Sequence, residues 1–305
     1  MKSLLIKYFT ALIVATMCFS CGQKYTLEYN LTEGETYNQN FEMEMTLSQS
    51  MMGQDMVVET NMEMQMSYHI DEVMDNLITM TFVYDALSME VGMGGMTTIS
   101  ASSETSNTVA TMEDMGPIFK AVTNLPITMI VDKKGNVEKI EGFENYIAAM
   151  LNVFDESIDD MIKSQVIGQF SQQFTPESLE SSFKSTANFP DKPVAVGNTW
   201  NTTAGMQSGV MNLEITLTNK LVSVDDNIAT IESKGELVLN EPMIQNINGM
   251  ETKSTLHGTQ SGFSKIDMNT GWTISGEITQ EMNIETEVMG MTMPQKVINK
   301  MKISN

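Results

Sequence analysis

The sequence predicts an α+β, β-dominated fold: curved antiparallel sheet built from two similar β-halves and packed on central helices. Three observations carry that prediction. Residues 41–70 alternate apolar and polar side chains on either side of a turn around Gly53, the pattern of a hairpin with one packed and one wetted face. Residues 144–170 switch to apolar steps of three and four, the period of a helix with one apolar stripe. Turn-and-strand signals at 34–38, 73–80 and 132–135 return in the same order at 197–201, 224–231 and 267–271, which points to an internal duplication.

Along the chain, YTLEYNL (25–31) predicts a first strand, followed by a turn around Glu33-Gly34. The hairpin of 41–70 puts Phe41, Met43, Met45 and Leu47 on one face with Met56, Val58, Met62, Met64, Met66, Tyr68 and Ile70. After a turn at 71–76, LITMTFVYDALSMEV continues the sheet, and the Gly/Thr/Ser-rich stretch 92–106 reads as a loop or bulged edge. A short helix follows Pro117 and ends before Pro126. Two strands then flank a turn at 132–135. In the helix of 144–170, Ile147, Met150, Leu151, Phe154, Ile158, Met161 and Phe170 share the apolar face. Thr175 as N-cap and Pro176 at the first helical position start another helix, which ends before Phe189-Pro190. From Trp200 onward the pattern is β again. The helices' apolar face requires a partner, and the Met-rich sheet face is the nearest large one.

Composition narrows the function. The formal net charge is −22, and all 17 basic residues are lysine. A surface so acidic and without guanidinium groups repels nucleic acid, and no nucleic-acid partner is expected. The chain has 30 methionines. Both cysteines, Cys18 and Cys21, lie in the first 21 residues, so the rest of the chain can form no internal disulfide.

Enzyme signatures are absent: there is no HExxH, GxSxG, P-loop or dinucleotide fingerprint. The two histidines, His69 and His257, have no supporting motif, and no catalytic residue or cofactor is assigned. Asp267-Met268-Asn269-Thr270-Gly271 spaces oxygen ligands as a calcium loop does but lacks the downstream bidentate Glu, so it reads as a β-turn. Met clusters at 43/45, 62/64/66 and 289/291/293 admit three readings: a pliable apolar site, a filled core, or a Cu(I) site. His69 falls on the face opposite Met62, Met64 and Met66, which weighs against copper.

Lys2 and Lys7 precede an apolar run from Tyr8 to Phe19, the shape of a secretory signal. The run ends in Phe19-Ser20-Cys21-Gly22, which resembles the lipobox of a bacterial lipoprotein with Cys18 at a position usually aliphatic. That resemblance implies a lipidated Cys21 as membrane anchor. Together with VDKKGNVEKIEGFENY and FPDKPVAVGNTWNTT, it makes nearly the whole chain after the leader resemble a domain-of-unknown-function family of Bacteroidota lipoproteins. The β-rich layout with packed helices is similar to lipoprotein-carrier folds, in which a curved sheet wraps helices around an apolar cavity.

The expected organisation is a signal peptide (1–20), lipidated Cys21 with a tether and first strand (21–33), an N-terminal β-half (34–142), a helical segment (143–190) and a C-terminal β-half (191–305). The expected function is a non-enzymatic envelope lipoprotein holding a hydrophobic or lipidic ligand. Its site residues would be Met43, Met45, Met62, Met64, Met66, Met150, Phe154 and Met161, and no metal is assigned to them. The alternative is a structural or protein-interaction module with a filled Met-rich core, and the sequence names no protein partner. Gly22-Gln23-Lys24 carries no acidic cluster after Cys21, which by resemblance implies the periplasmic side of the outer membrane.

Overall fold

Long alternating runs become long strands. The computed structural model describes residues 22–51, 54–104, 116–154, 159, 161, 163, 168, 175–208, 211–239, 241–247, 250–288 and 290–305. Its first half comprises β1 (Lys24–Tyr25), β2 (Thr36–Met51), β3 (Gln54–Met74), β4 (Leu77–Met93), β5 (Met96–Ser102), α1 (Gly116–Val122), β6 (Ile127–Asp132) and β7 (Val137–Glu141). α2 (Glu144–Asn152) and α3 (Pro176–Ala187) follow. The second half comprises β8 (Val194–Ala195), β9 (Thr199–Ser208), β10 (Met211–Asp225), β11 (Ile228–Leu239), β12 (Met243–Ile247), β13 (Met250–Asp267), β14 (Thr273–Val288) and β15 (Met291–Ser304).

One antiparallel sheet runs in the order β7-β6-β4-β3-β2-β15-β14-β13-β11-β10-β9, with β5 paired to β4 and β12 to β13. The order contains the same five-stranded meander twice, β7-β6-β4-β3-β2 and β14-β13-β11-β10-β9, joined by β15. The repeated motifs occupy equivalent places in the two units. Gly34 N–H donates to Ile70 O at 2.8 Å, and Gly197 N–H to Leu221 O at 2.7 Å. Lys133 N–H donates to Asn76 O, and Met268 N–H to Asn227 O. In both β-turns an Asp carboxylate accepts a backbone N–H two residues on: Asp132 from Lys134 and Asp267 from Asn269, each at 2.8 Å. The turn at 267–271 is thus held by its own backbone.

The sheet is curved enough that α3 packs on edge strand β9 and also touches β7, at the other end of the strand order. Close strand approach at glycines accompanies that curvature. A Cβ at Gly262 would lie 2.3 Å from Glu277 O, so only glycine fits between β13 and β14 there.

Residues 25–31 depart from the expected strand. Only Lys24–Tyr25 pairs, and with β8 rather than with the large sheet. The rest is a strap threaded between the duplicated turns, with Leu27, Tyr29 and Leu31 buried. Tyr29 N–H donates to Lys133 O and Asn30 N–H to Thr270 O, both at 2.8 Å. Lys134 Nζ donates to Leu27 O at 2.9 Å and lies 3.3 Å from Glu28. Gly271, at φ +73°, leaves no room for a Cβ, which would meet Glu28 O at 2.1 Å. The alternation seen in the sequence is real, but its hydrogen-bonding partners are turns of both halves instead of a neighbouring strand.

The expected helix of 144–170 is interrupted in what is described, with Met161, Lys163 and Gly168 helical beyond the break. α2 ends at Asn152 with Val153 as C-cap, and most of 155–174 lies outside the described residues. Phe154 is buried just beyond that end. The main core gathers strap, both turns, α1–α3 and the sheet around Tyr68, Phe82, Met80 and Ile231, while a second cluster of Leu213, Leu237 and Leu256 lies apart in the C-terminal half.

Candidate functional site

Strand register sorts the side chains of the sheet into rows, because residues paired across antiparallel strands share a face. Next to the main core, Met89, Met62, Met43 and Met301 fall in one row across β4, β3, β2 and β15. Two residues further along, about 7 Å away, comes the row Met45, Asn299, Gln280 and Gln260. A third row carries Val58, Leu47, Val297 and Met282, continuing through Gly258 to Leu237. From Phe41 outward on β2, and on the matching lengths of the strands from β4 across to β10, every inward-facing described residue is uncharged. The charges lie on the other face, where Lys302 and Lys300 of β15 sit opposite Glu42 and Glu44 of β2. Alternation alone produces that separation: one residue of slip would exchange the faces.

The structure divides the predicted site residues. Met66, Met150 and Phe154 are buried in the main core, with Met64 packed against it. The Tyr68 hydroxyl reaches Met66 Sδ at 3.9 Å. Met43, Met45 and Met62 are half-buried and lie outside that cluster. Met161 is 78 % exposed, outside the core that buries Met150 and Phe154; it is helical, but α2 has ended before it, so the three- and four-residue spacing does not run unbroken from Met150. Cys21, the lipid-anchor residue, and Met289 lie outside the described residues. His69 and His257 are both exposed, on strands separated by β2, β15 and β14. His69 Nδ1 lies 3.1 Å from Thr36 Oγ1. Among the described residues no group of His, Cys, Asp or Glu is arranged to hold a metal ion.

Sequence reasoning missed Met89 and Met301, which complete the methionine row, because row membership depends on register between distant strands. It also missed the amides. Gln280 Nε2 donates to Gln260 Oε1 at 2.8 Å and Asn299 Nδ2 donates to Gln280 Oε1 at 3.1 Å. Asn299 Oδ1 is shielded from solvent and has no partner. The available signal was a polar residue at an inward position of an otherwise apolar alternation, as in VINKMKI. One row nearer the main core, Ser233 Oγ donates to Asn219 Oδ1 at 2.6 Å, and Asn219 Nδ2 donates diagonally to Oγ1 of Thr202, which lies in the row of Gln260, at 2.9 Å.

Two openings adjoin this face. Beneath the end of α3 is a void of about 20 Å³ touching Gln260, Ser233, Ile278 and Thr186, room for about one water. Between the sheet's edges, Lys134, Lys184, Asn188, Trp200 and Thr202 border a cleft of about 240 Å³. Trp200 Nε1 donates to Asn188 O at 2.8 Å, fixing the indole against the end of α3. Burial pushes the phenols of Tyr29, Tyr68, Tyr84 and Tyr146 well above the usual tyrosine range, chiefly by loss of water around the phenolate.

Fold comparison finds distant likenesses. A chain from a structure of lipid–protein interactions in lipovitellin aligns at 10% identity and TM-score 0.42, covering 88% of this chain and 25% of that one. An outer membrane channel from Pseudomonas putida F1 aligns at 8% identity and TM-score 0.24, covering 90% and 97%. Salmonella typhi OmpF aligns at 6% identity and TM-score 0.26, covering 90% and 99%. The chain thus spans a quarter of the length of the lipovitellin chain, and these likenesses are too distant to bear on activity. No curated protein matches. A family model matches residues 75–273, which is more than half of the chain and takes in strands of both halves; the protein belongs to the family of unknown function DUF6263.

Proposed function

We propose that this protein is an envelope lipoprotein, anchored through Cys21, that holds a hydrophobic ligand against the uncharged inner face of its curved sheet. The observation that carries the reading is the separation of charge. A chain of net charge −22 presents an inner face without a single ionised side chain among the described residues of its central strands. On that face Met43, Met45, Met62, Leu47 and Val58 are half-buried beyond the main core. Half-buried methionine is a pliable contact for apolar ligands, since its unbranched chain and polarisable sulfur repack around varied shapes. The ligand-facing residues of this reading are Met43, Met45 and Met62 with Met89 and Met301, while Met64, Met66, Met150 and Phe154 back them from the core. The anchor would hold the site at the membrane surface, on the periplasmic side of the outer membrane.

A second reading, a structural or protein-interaction module, is favoured by the packing of Met66, Met150 and Phe154 into one contiguous core. Native mass spectrometry of residues 22–305, which contain every described element, separates the two. The protein is purified from a periplasm without detergent. A co-purifying lipid-range mass, lost on denaturation, is the expected result. A bare polypeptide mass, unchanged after incubation with lipids, sinks the ligand reading. A gain of Cu(I) abolished by Met43→Leu with Met62→Leu would assign the methionine row to metal instead.

A further inference from the structure

We infer that the ligand of this face is an uncharged amphiphile whose hydrogen-bonding head group is read by the amide row Asn299–Gln280–Gln260; the inference rests on the ligand reading above. The three amides are direct cross-strand neighbours on β15, β14 and β13. They form a directed chain: the amide N–H of Asn299 goes to Gln280, and that of Gln280 goes to Gln260. The direction leaves one acceptor over, Asn299 Oδ1, which has neither a protein partner nor exposure to water. A shielded carbonyl without a donor is unfavourable, and a hydroxyl or amide N–H that reaches it when the flanking methionines repack removes the penalty. The neighbouring hydrogen-bonded chain Ser233–Asn219–Thr202 passes its bonds onward without such a remainder.

The surroundings specify the rest of the ligand. Met45 is Asn299's partner on β2, Met43 and Met301 lie one row to one side, and Val297 and Met282 lie one row to the other. An alkyl chain therefore finds apolar contact in either direction from the head. The head itself must be neutral. A carboxylate, phosphate or ammonium beside Asn299 would meet no counter-charge from the central strands, whose charged side chains point to the opposite face, while Lys134 and Lys184 border the cleft at Thr202, three strands beyond Gln260; an unpaired ion in such surroundings is strongly disfavoured. Monoacylglycerols, fatty alcohols and primary fatty amides have the required chemistry.

The test uses residues 22–305 and four saturated probes of one chain length: a monoacylglycerol, a fatty acid, an alkylamine and an alkane. Each displaces a lipophilic fluorophore at neutral pH. The monoacylglycerol is expected to bind about tenfold more tightly than the acid or the amine, on the scale of one well-made hydrogen bond. Asn299→Leu should bring the monoacylglycerol down to the affinity of the alkane measured on the same variant. Asn299→Asp, of nearly the same shape, should invert the ranking in favour of the alkylamine, and thermal melts confirm that both variants fold. Binding of the acid or amine as tightly as the monoacylglycerol overturns the inference, as does an Asn299→Asp protein with unaltered ranking. Alkane binding without head-group preference overturns it while sparing the ligand reading; failure of all four probes, the alkane included, overturns both.

Discussion

Replacing Tyr29 by Ala should unfasten the two halves of the molecule. Tyr29 is 2 % exposed and its ring meets Phe189, Phe183 and Trp272 at centroid distances of 5.1, 5.6 and 6.1 Å. Its backbone N–H holds the β6–β7 turn, and the next residue holds the β13–β14 turn. Truncating a buried aromatic ring to Ala costs about 3–5 kcal/mol in a packed core, and the edge-on contact to Phe189 places Tyr29 toward the upper end of that range. Tyr29→Phe keeps the rings together and removes only the buried hydroxyl, for about 1 kcal/mol. Urea unfolding followed by tryptophan fluorescence measures both, because Trp272 touches Tyr29 and Trp200 reports from the edge strand β9. The expected result is a large fall in midpoint for the Ala variant and a small one for Phe. A loss below about 1 kcal/mol for Tyr29→Ala, well under the cost of emptying a packed core site, would refute the view that the strap joins the halves.

Two further outcomes follow from the packing. The folded protein should lose stability above pH 10: Tyr29, Tyr68, Tyr84 and Tyr146 titrate higher when folded than when unfolded. Their contribution is intact below the unfolded tyrosine value and is lost as pH rises through the folded ones, at about 1.4 kcal/mol per pH unit for each group. Phenolate absorbance should therefore rise together with loss of β-sheet signal; phenols that ionise while the sheet persists would contradict their burial. Gly262→Ala should cost about 1–3 kcal/mol by overpacking against β14. Gly92→Ala, whose Cβ would meet nothing closer than 3.5 Å, should stay within about 0.5 kcal/mol, and equal effects in a thermal melt would show that close strand approach is not what Gly262 serves.

Much of the sheet was legible in the sequence because alternation is a local property. Glu42, Glu44 and Glu63 between Phe41, Met43, Met62 and Met64 already fix which side of β2 and β3 meets water, and Asp132–Gly135 and Asp267–Gly271 already mark turns. Even the duplication could be read, since its motifs are turns whose chemistry is set by neighbours in the chain. The strap was misread for the same reason: Leu27, Tyr29 and Leu31 alternate as a strand does, and nothing local says that Lys133 and Thr270 supply the hydrogen bonds.

By itself the sequence determined the periodicities, the turns and the separation of charge from apolar surface, all of which arise from residues a few positions apart. Only the tertiary structure decided which residues stand side by side. The row Met89–Met62–Met43–Met301 and the amides Asn299, Gln280 and Gln260 are assembled by the pairing of strands far apart in the chain. Register is a global minimum over every strand at once, set by which faces are buried and where the bulges fall. A ligand site made of rows across a sheet therefore has no signature along the chain.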